Sequence, residues 1–498
     1  MPASPTASEQ LWLAIDQGTQ STRAALINGC GQLVEVCQVP VSLNRVSDLE
    51  VEQDGAELVN SIWEAIGKVV TTENQDRIRA AGLATQRSSI IAWNRDSGET
   101  LSNVISWQDL RGHALVDSFD SKTAAWIQRT SGLPISPHYG ASKIRWLVDR
   151  LRSQGVDLDT GDICIGSLSS FLLANMTEGK QPCQVDHANA GRTQLLSFEA
   201  RDWDDELLAC FGIPKSVLPA TRPTQFDFGT LTGTSIPIRV CQGDQTAAGF
   251  GYGNLPTSTA HINLGTGGFM LAPVIDLAGL RGHKKMPLLI SLANSTINDA
   301  EYFIEGTING AGAAIKWAAE QLGLESVEAN LDAWAESVVE PPLFFNAVAG
   351  IGSPVWNSSP PQNLANRWFD GELNPTDPPT SEQAMVGVLE SIVFLIAMNL
   401  DTMCDLEICI SQFRLTGGVA KSNAICQRLA DLSQCQIIRP LESESTLLGI
   451  ACLLSDQASQ SGSNWCSDIE TGQVFTPRSN PALEQRYQAF NRLIKSLN

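Results

Sequence analysis

The sequence predicts an α/β protein of two lobes with a duplicated core, and three observations carry that prediction. A strand, a Gly-Thr turn and a second strand occur twice, half a chain apart, as LWLAIDQGTQSTRAALI (11–27) and AHINLGTGGFMLAPV (260–274). The chain has 498 residues, 43% of them hydrophobic, which is more apolar material than one core usually takes up. Short apolar runs alternate with longer stretches whose apolar residues recur at helical spacing.

In order, Leu11–Ile15, Arg23–Ile27 and Gln32–Val39 read as a meander separated by turn residues. A helix is expected over Asp54–Val70, where Leu58, Ile62, Ile66 and Val69 share one face. Ile78–Ala84 is a further strand, ending at Thr85-Gln86-Arg87. Ile90–Trp93 and Leu101–Trp107 form a hairpin around the polar turn Asn94–Gly98. Gly140–Asp149 and Ser167–Asn175 carry helical spacing within a more helical stretch from Ser131 to Leu195. The strand Arg239–Cys241 runs into Gln242-Gly243-Asp244-Gln245. After the second copy of the repeat come helices at Gly312–Leu322 and Glu382–Cys404, a strand at Ile408–Leu415 and a helix at Ser422–Leu432. Residues 352–378, rich in Pro, Asn and Ser, are expected to be irregular.

The formal net charge is −21, with 54 acidic residues against 33 Lys plus Arg, and there is no basic block. Nucleic acids and anionic membrane surfaces reward clustered positive charge, so neither is an expected partner. The twelve cysteines are scattered without a CxxC pair and there are five histidines, which argues against zinc or iron–sulfur ligation. Residues 1–10 lack a signal-peptide pattern and read as a loose tail. No run of about 18 apolar residues is evident, so the expected location is the cytoplasm.

Hairpin tips with Gly, Thr and backbone donors suit a phosphate chain, and two such tips would close on one polyphosphate. Thr19 and Thr266 supply hydroxyls, Gly265 shares the second tip, and Gln20, Ser21 and Arg23 add donors or charge at the first. Strand alternation turns some of these residues away from the tip. Asp16 precedes the first tip, where a carboxylate holds Mg²⁺ or its water shell. Asp244, at another strand end, is placed to take a proton from an attacking hydroxyl and to serve the metal as well, and Gly243 allows close approach there. Alone, either aspartate is as readily a turn or cap residue; the combination with two Gly-Thr tips favours the chemical reading. Gly417-Gly418 before Lys421-Ser422-Asn423, and Gly310-Ala311-Gly312 before the helix with Lys316, resemble nucleotide-contacting turns, although tight packing explains such glycines equally well. No GxxxxGK[ST] motif is present. Arg87, Trp107, Gln245 and Phe269 combine polar groups with aromatic walls, a mixture that suits a polyol or sugar.

DQGTQSTR (16–23), TQRSS (85–89), NVISWQDLR (103–111), YGASKIRWLVD (139–149), GDQTAAGFG (243–251), NLGTGGFM (263–270), GAGAAIKW (310–317) and LTGGVAKSN (415–423) resemble, in order, the FGGY carbohydrate kinases, with motifs nearest to those of glycerol kinases. The resemblance implies a two-lobed, actin-like (ribonuclease-H-like) fold with ATP and Mg²⁺ in an interlobe cleft. It implies an acceptor-binding domain over 11–255 and a nucleotide-binding domain over 256–498. It makes Asp244 the base and Asp16 a magnesium residue, sets Thr19 and Thr266 at the ATP phosphates, and puts Gly417, Gly418 and Asn423 near the adenosine. The acceptor positions match Arg87, Trp107, Asp244, Gln245 and Phe269. Ser88 stands where glycerol kinases carry glutamate, and His138 where they carry tyrosine, so the acceptor is a small polyol or a larger sugar. Residues 352–363 also depart from the family pattern. Homodimers or homotetramers fit the resemblance; an ATP/sugar-binding sensor and an actin-like ATPase are the competing expectations.

Overall fold

The computed structural model describes residues 10–178, 183–283, 286–357, 360–378, 380–455 and 472–495. The expected tail lies outside them except for Gln10. The chain forms two compact units. The first takes the described residues of Met1–Asn254, Ile290–Tyr302 and Glu444–Ser467, the second those of Leu255–Leu289, Phe303–Ser443 and Asp468–Asn498. Segments 290–302 and 444–455, assigned from sequence to the later domain, thus belong to the first unit.

The first unit is built on a six-stranded sheet. Leu11–Gln17 pairs antiparallel with Ser21–Asn28, which pairs antiparallel with Leu33–Pro40. On its other side Leu11–Gln17 runs parallel to Ile78–Thr85, which runs parallel to Pro237–Gly243, and Gln225–Thr230 closes the edge antiparallel. The central strands are nearly continuous runs of small and branched apolar residues, as burial on both faces requires. The helix Gly55–Val69 starts where the Asp54 carboxylate accepts from the amides of Ala56 and Glu57, and it packs Leu58, Ile62, Ile66 and Val69 into the core. A second hydrophobic cluster, around Ile144, Leu147, Phe211 and Ile165, fills the insertion between Ile90 and Leu218.

The second unit repeats this plan. Thr259–Leu264 pairs antiparallel with Gly268–Val274 and parallel with Gln412–Thr416; Gln436–Arg439 follows in parallel and Gln473–Phe475 antiparallel. A hairpin, two successive parallel strands and an antiparallel edge therefore occur in the same order in both units, so the duplicated core read from the Gly-Thr repeat is present in the topology.

Four expectations change. The hairpin from Ile90 holds at Ile90↔Ile105 and Trp93↔Thr100, but the longer partner of Ile90–Asn94 is Ile163–Ser167. The strand expected from Ile408 starts at Gln412, because Ile408 still closes the preceding helix through its amide to the Met403 carbonyl. Within 352–378, Trp368–Phe369 and Pro375–Thr376 join Leu343–Phe344 in a small sheet, and the Trp368 ring stacks on Trp317 at 6.1 Å. Finally, the helix Ser381–Asp405 is long and apolar enough to cross a membrane, yet 89% of its most apolar 18-residue window is buried inside the fold. It is a core helix, and its buried Glu390 is matched by Arg428 and Arg486 at 3.2 and 2.7 Å.

Candidate active site

Three adjacent parallel strands of the first unit end in register: Gln17 lies across from Thr85, and Thr85 from Gly243. Asp16, Gln86-Arg87 and Asp244 are thereby delivered to one sheet edge, at the carboxyl ends where α/β sheets bind ligands. The strand pairing explains how residues far apart in sequence meet. Asp244 opens the short helix Asp244–Ala248. Its carboxylate accepts from the Gln245 amide at 2.7 Å, lies 3.8 Å from Arg87 Nε and keeps 23% of its side chain exposed. Burial raises its pKa above the ordinary value, while the Arg87 charge pulls it back.

Asp16 is more enclosed. Its Oδ1 is buried with no hydrogen-bond partner, and burial together with the charge of Asp244 pushes it up to about 7, against a smaller opposing effect from Arg23. Arg23 reaches Glu444 at 3.2 Å. Strand alternation has the predicted consequence: Thr22 turns into the core and meets Ser61 Oγ at 2.7 Å, while Ser21 and Arg23 stay partly exposed. At the tip, Gln17 Nε2 donates to the Gly18 carbonyl, Gln53 Nε2 to the Thr19 carbonyl, and Trp107 Nε1 to Thr19 Oγ1 at 2.9 Å. The indole expected on the acceptor side thus bonds the expected phosphate tip. Gln20 is exposed at that tip.

Gly243 has a different role from the expected one. A Cβ there would come within 2.6 Å of Arg87 Cδ, so the glycine makes room for the Arg87 stem rather than for a ligand. Ser88 follows with φ of 66°, a left-handed conformation, and is nearly buried. Its carbonyl accepts from Lys143 Nζ at 3.1 Å, and the same ammonium donates to the His138 carbonyl at 2.7 Å. Lys143 is fully buried, and desolvation lowers it to about 7. His138 Nδ1 lies 3.1 Å from the Trp107 carbonyl, which as an acceptor places the proton on Nδ1; desolvation and Lys143 keep its pKa below the ordinary value. Arg87, Ser88, Trp107, His138, Asp244 and Gln245 therefore share one part of the first unit. Sequence reasoning missed Lys143, Gln53 and Glu444, although a lysine amid the buried face of Gly140–Ser153 was a usable signal.

In the second unit, Asn263 and Thr416 are in register, so the Gly265-Thr266 and Gly417-Gly418 turns leave neighbouring strand ends. The Gly265 carbonyl accepts from the Gly312 amide at 2.9 Å, and the Thr266 carbonyl from the Ala313 amide at 2.9 Å. The Gly-Thr tip and the start of helix Gly312–Leu322 are thus one construction. Gly417, at φ of 95°, has no room for a Cβ because the Leu264 carbonyl is there, whereas Gly418 faces open space. The start of helix Asn423–Ser433 is already occupied by a carboxylate, since Asp332 accepts from the Asn423 and Ala424 amides at 3.0 Å each. That end does not invite a phosphate. Asn423 Oδ1 also accepts from Arg439 Nη2 at 2.7 Å. Lys316 has 81% of its side chain exposed, 3.9 Å from Glu320, and Phe269 is partly exposed on Gly268–Val274.

Residues 11–251 match the N-terminal domain, and residues 260–455 the C-terminal domain, of the FGGY family of carbohydrate kinases. The chain belongs to the FGGY family of carbohydrate kinases. Among curated relatives, a glycerol kinase of Geobacter sp. (strain M21) is 32% identical over 457 residues, 89% of each chain. One from Rhodopirellula baltica is 31% identical over 94% of this chain and 86% of its own. The Plasmodium falciparum glycerol kinase solved with ADP superposes with a TM-score of 0.82 at 24% identity, covering 99% of each chain. The ligand-bound xylulose kinase of Lactobacillus acidophilus does so with 0.77 at 19%, covering 98% and 97%. The FGGY chain described here has the two-domain actin-like fold and is an ATP-dependent phosphotransferase with an alcohol group as acceptor, using Mg²⁺. Asp16 fits the metal: a divalent cation would complete a buried carboxylate oxygen that has no partner and lies within the field of a second carboxylate. Among the described residues no group of three or more His, Cys, Asp or Glu forms a metal cage. Mg²⁺ commonly binds through one or two carboxylates, substrate phosphates and waters, so the sparse donor set suits it.

Proposed function

We propose that this FGGY kinase transfers the γ-phosphate of ATP to a hydroxyl of glycerol or a closely related small polyol, with Asp244 as the general base. The observation that carries the reading is the partly exposed Asp244 carboxylate, set beside Arg87 at the end of a parallel strand. Asp244 takes the proton of the attacking hydroxyl as its oxygen bonds to phosphorus. Arg87 keeps that carboxylate ionised against the effect of burial and donates to the acceptor oxygens with Gln245. Trp107 and His138 form walls against the carbon skeleton, Ser88 supplies a hydroxyl, and Phe269 is a further acceptor residue. Thr19, Gln20, Ser21, Arg23, Gly265, Thr266, Gly312 and Lys316 serve the phosphates; Gly417, Gly418 and Asn423 serve the nucleoside. Asp16, with Asp244, holds Mg²⁺, which when bound offsets the charge of the phosphates.

The relatives named glycerol kinase support glycerol itself. A second reading, a tetritol or pentulose acceptor, rests on Ser88, whose short side chain leaves space where a glutamate would reach the ligand. Coupled measurement of ADP release with glycerol, erythritol, xylitol, ribulose and xylulose tests both. Glycerol giving the highest kcat/KM upholds the first reading and a longer acceptor the second; acceptor-independent hydrolysis, or binding without turnover, rejects the kinase assignment.

A further inference from the structure

In the first unit, away from the strand ends described above, the short hairpin Leu196–Ser197/Asp202–Trp203 and the segment 221–226 enclose an open depression of about 290 Å³. Two arginines line it. Arg201 closes the hairpin turn with φ of 54°, a left-handed position that such turns normally give to glycine or asparagine. The backbone therefore does not favour arginine here. Its Nη1 is shielded from water and has no hydrogen-bond partner. Arg222 is held rigidly: Nε donates to Gln184 Oε1 at 3.1 Å, Nη1 to the Thr221 carbonyl at 2.8 Å, and the guanidinium lies 5.3 Å from the centre of the Phe226 ring.

The remaining wall includes His187, Thr221, Pro223, Thr296 and Ile297. His187 Nδ1 meets Ser295 Oγ at 3.1 Å, and burial with the charges of Arg201 and Arg222 lowers its pKa to about 4, so the ring is neutral. The carboxylate beside this wall, Asp202, accepts from its own neighbour's amide, Trp203, at 2.7 Å and from Thr221 Oγ1 at 2.9 Å. Among the described residues, the lining holds two guanidinium groups and no carboxylate, and the neighbouring Asp202 is already hydrogen-bonded, in a chain whose formal net charge is −21. A half-buried guanidinium is incompletely hydrated, and an anion bound against it offsets that loss. Guanidinium groups pair with phosphate through parallel N–H donors, and a dianion matches two of them better than a carboxylate does.

We propose that this depression is a second ligand site, distinct from the kinase strand ends, which binds a phosphate group, either free or as the head of a small phosphomonoester. The volume exceeds that of phosphate alone, and Pro223 and Ile297 offer an apolar wall to a short carbon chain.

The test is isothermal titration of inorganic phosphate, and separately of ethyl phosphate, into the full chain saturated with Mg²⁺ and a non-hydrolysable ATP analogue, which fills the nucleotide phosphate positions. Saturable binding is expected, weakened at least about tenfold in Arg201→Asn and in Arg222→Gln. Asparagine tolerates the left-handed backbone, so Arg201→Asn should keep the wild-type melting temperature and the kinase rate measured without added phosphate. Tighter binding of ethyl phosphate identifies an ester as the ligand, and equal binding identifies the bare anion. Absence of binding to the saturated protein, or binding equally strong in a folded, active Arg201→Asn, overturns the proposal.

Discussion

Replacing Lys143 by methionine keeps the length of a fully buried side chain while removing its charge and its donors to the Ser88 and His138 carbonyls. The wild-type amine is lowered from 10.5 to about 7 by desolvation. Below pH 7 it is protonated in both folded and unfolded chains, and the folded state bears the whole burial penalty, roughly 5 kcal/mol at 1.36 kcal/mol per pKa unit. Between 7 and 10.5 the unfolded chain holds the proton and the folded chain does not, so this contribution to stability rises with pH. The gain from pH 7 to pH 9 is roughly 2 kcal/mol, and methionine cannot show it. Against this, the variant leaves two carbonyls without their donor, at about 1–3 kcal/mol each. The two effects nearly balance at pH 7, and the variant should fall behind the wild type by roughly 2 kcal/mol more at pH 9. Urea denaturation of both proteins at pH 7, 8 and 9 measures the difference. A difference that does not change with pH would refute the assignment of a buried, readily deprotonated amine. Because the same ammonium joins the Ser88 and His138 segments, the variant should also raise the acceptor KM while leaving the ATP KM in place; equal changes in both would count against that link.

Asp244→Asn should reduce kcat by about 10² to 10⁴ while ATP affinity, read by titration, stays within a few fold; near-normal turnover would remove Asp244 as the base. Asp16→Asn should raise the Mg²⁺ concentration needed for half-maximal rate, and an unchanged magnesium dependence would show that Asp16 does not serve the metal. Gly449 lies on helix Ser445–Leu454, where a Cβ would fall on the carbonyl of Ala247 in the Asp244 helix. Gly449→Ala should therefore destabilise the protein by about 1–3 kcal/mol and reduce kcat, measured by thermal melting and assay; a variant matching the wild type in both would show that this contact yields at no cost.

Local pattern was most legible where chemistry is written in adjacent residues. The Gly-Thr tips, Asp16, Arg87 and Asp244 all stand at ends of apolar runs, and strand ends are what alternation and turn residues mark best. Contacts across long separations were not legible. Glu444 meets Arg23 from 421 positions away. Asp332 occupies the helix start at Asn423, and no local signal in the sequence links the two. The helix from Ser381 shows the reverse case, since composition alone does not distinguish a core helix from a membrane span until burial is known.

The sequence by itself determined the duplicated plan, the family resemblance and the position of the two aspartates at strand ends, because repeats and strand-end motifs are properties of neighbouring residues. Only the tertiary structure decided what those residues touch. Gly243 makes way for the Arg87 stem, Trp107 hydrogen-bonds the Thr19 tip, and Lys143 ties Ser88 to His138 from the buried face of a helix. Packing density and the need to pair buried polar groups fix such contacts, and both act among residues that only the folded chain brings together.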